Sequence, residues 1–215
     1  MSDASNLVGG EIPEEDRARA DLYALLAQLF YGGPDSGLLN SIAQAGQAAQ
    51  AGQAAAHGVG QTAAPLTAAL GALAMACAER TPALLQQEFD ELFVGTGKAR
   101  VTPYCSFYLV ETGREKVLVR LREDLAEMGL ARMESAREPE DHIAALLEIM
   151  RHLTTNREGD VALRDQRAIF ERYLERAYPR FCDAVASCDT ASFYRSAAAL
   201  LRAFLDVEAE ALKLS

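Results

Sequence analysis

The sequence predicts an all-α, single-domain helical bundle. Apolar residues recur with helical spacing in one segment after another. No stretch alternates with period two for long enough to make a strand. At 215 residues, half of them hydrophobic, the whole chain suits one domain with a sizeable core.

The elements follow in order. Leu22, Leu25, Leu26 and Leu29 share one helical face, and Gly32-Gly33-Pro34-Asp35 breaks the pattern. Residues 43–64 are rich in Ala, Gln and Gly, with Val59 as their one large apolar side chain and His57 among them. They are expected to form a flexible connector or a poorly packed helix that is dispensable for folding. Leu84, Leu85, Phe89, Leu92 and Phe93 make the next face, stopped by Gly95 and Gly97. Leu109, Val117, Leu118, Leu121, Leu125 and Met128 predict a longer helix ending at Gly129. Ile143, Leu146, Leu147, Met150 and Leu153 form another, then Ile169, Phe170, Tyr173 and Leu174. Phe193, Leu200, Leu201, Phe204, Leu205 and Leu212 close the chain.

Acidic residues outnumber basic ones 31 to 21, a net charge of −10. Nucleic acid is excluded as a partner, because phosphate neutralisation needs an unopposed basic face. Between Lys98 and Arg122 the cations are interleaved with Glu111 and Glu115, so no such face forms. No apolar run reaches the roughly 18 residues of a membrane span, so no membrane insertion is expected. Residues 1–19 carry Glu11, Glu14, Glu15 and Asp16 and no apolar segment of a signal peptide, which leads to an expected cytoplasmic location. Cys77, Cys105, Cys182 and Cys188 contain no C-x-x-C pair. They read as reduced, mostly buried small hydrophobes, and a zinc site is not expected.

Two segments carry chemistry. Glu138-Pro139-Glu140-Asp141-His142 sets three carboxylates, a proline and one of only three histidines just ahead of an apolar helical pattern. Proline suits the first helical position, and acids suit the first turn. A helix start is therefore one reading of the segment. A carboxylate beside a histidine can also orient an imidazole for acid–base work. That makes a small enzyme using His142 with Glu138 or Asp141 an alternative. Neither G-x-S-x-G nor H-E-x-x-H occurs, and Pro139 stands where an E-x-x-H di-iron motif would need glutamate. Gly95-Thr96-Gly97-Lys98 is not a phosphate loop, since Leu92 and Ala99 stand where glycine and Ser/Thr are required. The second segment is Pro103-Tyr104-Cys105-Ser106-Phe107-Tyr108-Leu109. Its rings either seal a core or, flanked by small polar groups, make an adaptable peptide-binding surface.

Four blocks in this order resemble the TorD/DmsD family of redox-enzyme maturation chaperones, related to the assembly chaperones of nitrate reductase. They are the opening helix at residues 19–30, Glu88-Phe89-Asp90-Glu91-Leu92-Phe93-Val94-Gly95, the proline–aromatic block at residues 103–109, and Glu138-Pro139-Glu140-Asp141-His142. The chain departs from the family where a His-Leu-x-Pro-Trp block is frequent. Here Tyr173-Leu174-Glu175-Arg176-Ala177 stands, and the chain has no tryptophan.

The resemblance implies a helical bundle of the TorD/DmsD type with no catalytic role. Such a chaperone is cytoplasmic and binds the twin-arginine leader and the apo form of a molybdenum-cofactor oxidoreductase catalytic subunit. It assists cofactor insertion before export. The implied peptide-binding residues are Tyr104, Ser106, Phe107, Tyr108, Glu138, Pro139, Asp141 and His142. Tyr104, Phe107 and Tyr108 would supply an aromatic floor, and Glu138, Glu140 and Asp141 charge-assisted bonds to the arginine pair. Guanine nucleotide binding near residues 138–142 is implied by the family alone, and three carboxylates would repel its phosphates. A non-exported assembly chaperone of the nitrate reductase delta type and a permanent structural subunit remain open, as do a monomer and a domain-swapped dimer.

Overall fold

The structure is a computed structural model that describes residues 12–55, 63–78, 80–95, 99–132, 137–156 and 159–214. These residues form ten α-helices and two π-helical turns, with no strand among them. The all-α expectation holds.

Helix α1 (Glu14–Tyr31) opens with Glu14, Glu15 and Asp16 in its first turn, where they oppose the helix dipole. Gly32 stops it, donating its N–H to the Gln28 carbonyl. Of the predicted face, Leu26 and Leu29 are buried, while Leu22 and Leu25 are only partly so. Tyr23 and Phe30 take the centre instead, because large rings fill more of the space between helices.

Helices α2 (Ser36–Ala55) and α3 (Ala63–Ala78) pack against each other. Residues 43–55 are helical and belong to α2. Ile42 is fully buried, and at Gly46 a Cβ would lie 2.3 Å from the Ala74 Cβ of α3. The small residues that looked unfit for a core allow two backbones to approach closely. Residues 56–62, with His57 and Val59, lie outside the described residues.

Helix α4 (Pro82–Phe89) begins with Pro82 behind Thr81, whose hydroxyl accepts from the Leu84 N–H. It runs into a π-helical turn, Asp90–Val94, ended by Gly95 at φ 64°. The single long helix expected up to Gly129 is two helices, α5 (Cys105–Leu109) and α6 (Arg114–Glu127). Gly113, at φ 75°, turns the chain between them.

Helix α7 (Ile143–Thr155) packs on α1, and its Ile143, Leu146, Leu147, Met150 and Leu153 are fully buried, as their spacing predicts. Helix α8 (Gly159–Ile169) passes into a second π-helical turn, Phe170–Leu174. Helix α9 (Tyr178–Ala186) and the long α10 (Phe193–Leu214) complete the bundle. Helix α10 meets α1, α3 and α9. An aromatic cluster of Phe30, Phe93, Phe181 and Tyr194 joins α1, the first π turn, α9 and α10, with ring centroids 5.1–6.1 Å apart. The edge-to-face pairs among them, Phe30–Phe93, Phe30–Phe181 and Phe93–Tyr194, add about 0.5–1.5 kcal/mol each beyond the burial itself.

Candidate functional site

Two segments that stand apart in sequence form one surface. The Cys105 N–H donates to the Asp141 carbonyl and the Ile143 N–H to the Pro103 carbonyl, each at 2.8 Å. These bonds flank an isolated antiparallel bridge between Tyr104 and His142. The Tyr104 ring stands edge-on to the imidazole, with centroids 5.4 Å apart. Its hydroxyl donates to Glu138 Oε2 at 2.8 Å. Burial and that carboxylate push the Tyr104 phenol up to about 12.

The bridge also moves the start of the helix. Pro139 does not open α7; residues 138–141 are a bend and turn, and His142 is the residue before the first helical one. The Asp141 carbonyl and the Ile143 N–H bond across the bridge, the His142 N–H turns back to the Pro139 carbonyl at 3.1 Å, and His142 caps the helix. His142 Nδ1 accepts from the Ala144 N–H at 3.2 Å. A ring accepting at Nδ1 carries its proton on Nε2 and is neutral. Burial lowers the His142 pKa below its usual 6.5, outweighing the opposite pull of Glu138 and Asp141. A buried imidazole whose Nδ1 serves as a helix cap is a poor general base, so the catalytic alternative built on His142 loses its physical basis.

This predicts a pH effect of definite sign. As pH falls through 6.5 the unfolded chain takes up a proton that the folded chain refuses until a lower pH. Stability should therefore fall as pH drops below 6.5 and rise with pH across that window. His142→Asn keeps a side chain suited to capping and removes the titration. Urea midpoints at pH 7.5 and 5.5 should differ more for the wild type than for His142→Asn. Equal differences would exclude His142 as the source.

The carboxylates are not equivalent. Glu138 holds the Tyr104 hydroxyl. Glu140 takes a bidentate grip from Arg122 of α6, with Nε 3.0 and 3.1 Å from its two oxygens and Nη2 3.0 Å from Oε2. Burial alone would raise the Glu140 pKa, but the Arg122 guanidinium holds it below the usual value. Asp141 is buried, and its backbone carbonyl serves the bridge.

Helix α6 is itself fixed. Asp124 accepts from Arg172 at 2.7 Å and from the Tyr173 hydroxyl at 2.6 Å, both on the second π turn. Arg120 Nε lies 3.2 Å from the other Asp124 oxygen. Arg122 had no mark in the sequence as a site residue. It is one arginine on a charged helix, and its partner lies 18 residues further on.

The aromatic residues divide by depth. Phe107 is 43% exposed, and the Arg114 guanidinium sits 4.4 Å from its ring centroid. Tyr108 is only 9% exposed; it donates its hydroxyl to the Thr102 carbonyl and packs edge-on against Phe181. Ser106 is buried and Pro139 partly so. A surface depression of about 730 Å³ lies on α4 and the first π turn, lined in part by Gln87, Asp90, Glu91 and Arg100. It contains none of the residues implied for peptide binding, although Asp90 and Glu91 belong to the block at residues 88–95. Among the described residues no group of three or more His, Cys, Asp or Glu side chains is placed to share a metal ion. No helix among them is long and apolar enough to cross a membrane.

Comparison with known proteins places the chain in a family. The family model described as nitrate reductase delta subunit matches residues 53–183. The chaperone protein TorD of Shigella dysenteriae serotype 1 is 32% identical over 191 residues, covering 85% of this chain and 90% of the relative. TorD of Vibrio parahaemolyticus is 28% identical over 58% of this chain, which spans only 62% of that relative's length. A crystal structure of a putative redox enzyme maturation protein from Archaeoglobus fulgidus is 21% identical, with a TM-score of 0.49 over 95% of this chain and 98% of that one. The chain belongs to the family of the nitrate reductase delta subunit and the TorD-type redox-enzyme maturation chaperones, a family of chaperones rather than of enzymes.

Proposed function

We propose that the protein is a cytoplasmic maturation chaperone. It binds the twin-arginine leader and the apo form of a molybdoenzyme catalytic subunit, and it assists cofactor insertion before export. The observation that supports this reading most is the bridge between Tyr104 and His142, which sets the exposed Phe107 segment and the carboxylates of residues 138–141 on connected backbone. A leader has an arginine pair followed by an apolar segment, and a surface offering an exposed ring beside acidic groups is complementary to both. Tyr108, expected in the aromatic floor, is built into the core, so the apolar contact falls to Phe107. Three carboxylates at the start of α7 are a poor neighbourhood for phosphate, and the proposal includes no bound nucleotide. The family-model match also favours a second reading, in which the client is a non-exported subunit of the nitrate reductase type.

Titration calorimetry with a synthetic peptide carrying an arginine pair and an apolar helical segment tests the first reading. Phe107→Ala should weaken binding about tenfold, the usual scale for losing an aromatic anchor. Glu138→Gln should weaken it less and flatten its salt dependence, since Glu138 is only partly buried and a charge pair near the surface is worth only about 0–1 kcal/mol. A wild-type protein that ignores the peptide, but captures a leaderless catalytic subunit, would favour the second reading.

A further inference from the structure

We propose that Arg122 is a built-in competitor for the arginine subsite: its pair with Glu140 is displaced by a guanidinium of the incoming leader. The inference rests on the leader-binding reading and adds a residue that sets its affinity. Three observations carry it. The Arg122 fork on Glu140 is the geometry that a leader arginine would adopt on the same carboxylate. The pair is lopsided, since the Glu140 side chain is 9% exposed while that of Arg122 is 49% exposed. The acceptor is therefore held in place, and the guanidinium covering it stands at the surface. Finally, Arg122 comes from a different element, α6, which is anchored two residues further on through Asp124 to Arg172 and Tyr173. Withdrawal of the Arg122 side chain leaves that anchor intact.

Exchange of one guanidinium for another keeps the carboxylate paired throughout. This matters because a largely buried carboxylate is costly to leave bare. The free protein meets that requirement with Arg122, and the complex meets it with the ligand. The leader's arginine must then outcompete an arginine already in place, so binding relies on the apolar segment as well and a lone basic residue is rejected.

A purely structural role for Arg122 makes the opposite prediction. If the ion pair only braces residues 138–142, its removal loosens the site and weakens the peptide. If Arg122 competes, its removal strengthens binding. Calorimetry on the full chain with the arginine-pair peptide, and with a peptide carrying two lysines in its place, separates the two. Arg122→Met should tighten the arginine peptide about two- to fivefold, the range expected when one partly exposed ion pair no longer has to be broken. Arg122→Lys, with a point charge in place of a fork, should fall between Met and wild type. The lysine peptide should gain less, and the gain should vanish in Arg122→Met with Glu140→Gln. Arg151→Met removes the same charge from an exposed pair with Glu148 and should leave affinity unchanged.

Equal or weaker binding by both Arg122 variants would overturn the proposal while leaving the leader reading standing. An equal gain in Arg151→Met would overturn it too, by assigning the effect to net charge. Wild-type protein that does not distinguish the arginine peptide from the lysine peptide would sink the leader reading and this inference together. If Arg122→Met melts early, the Arg122→Lys result decides.

Discussion

Glu208→Ala should cost about 3–5 kcal/mol of stability, the range for removing one partner of a buried ion pair. Glu208 is 1% exposed on α10. It accepts Nε and Nη2 of Arg19, each at 2.8 Å, and the Tyr23 hydroxyl at 2.7 Å. Its removal strands a guanidinium and a phenol against the core where α1 meets α10. Arg19 keeps Asp16 and Gln166 as partners, which places the loss toward the lower end of the range. For a chain of this length each kcal/mol lowers the melting midpoint by about 2–4 °C. Calorimetric melting checks it, and a drop of only a degree or two would show that the network is not desolvated. Glu208→Leu with Arg19→Met and Tyr23→Phe should recover much of the loss, because replacing the whole buried network with apolar side chains is often neutral.

Glu88→Ala is expected to have the next largest effect, about 1–3 kcal/mol. Buried Glu88 accepts the N–H groups of Ser192, Phe193 and Tyr194 at 2.7, 3.3 and 2.9 Å. It caps α10 from a helix a hundred residues earlier and places a negative charge at the positive end of the dipole. Without it the first amides of α10 have no partner, and stranded buried donors carry that penalty. Glu88→Gln keeps an acceptor and should lose less than half as much. Chemical denaturation measures the difference, and hydrogen exchange should show lost protection confined at first to the start of α10. Unchanged exchange there would mean that water satisfies these amides.

Glu88 shows what a linear reading misses. The block around it was read as one apolar helical face ended by glycine, and the face is there. Nothing in the spacing marks Glu88 as a cap, because its partners lie beyond residue 190 and no spacing rule connects them. Residues 43–55 carry a similar long-range relation. Ala and Gly offer little area to bury, yet a Cβ at Gly46 would lie 2.3 Å from the Ala74 Cβ of α3. The helix expected to run unbroken to Gly129 divides because Gly113 at positive φ permits a turn that apolar spacing does not register.

By itself the sequence determined the helical class, the stops at Gly32, Gly95 and Gly129, the core faces of α7 and α10, and the two segments that form the candidate site. Those properties depend on neighbours within a turn or two, where side-chain spacing and backbone preference act directly. The tertiary structure alone decided that these two segments pair, that His142 caps α7, that Tyr108 is buried while Phe107 faces solvent, and that Arg122 covers Glu140. Each of these depends on which distant group is within about 3 Å of a given polar atom, and only the packed helices bring such groups together.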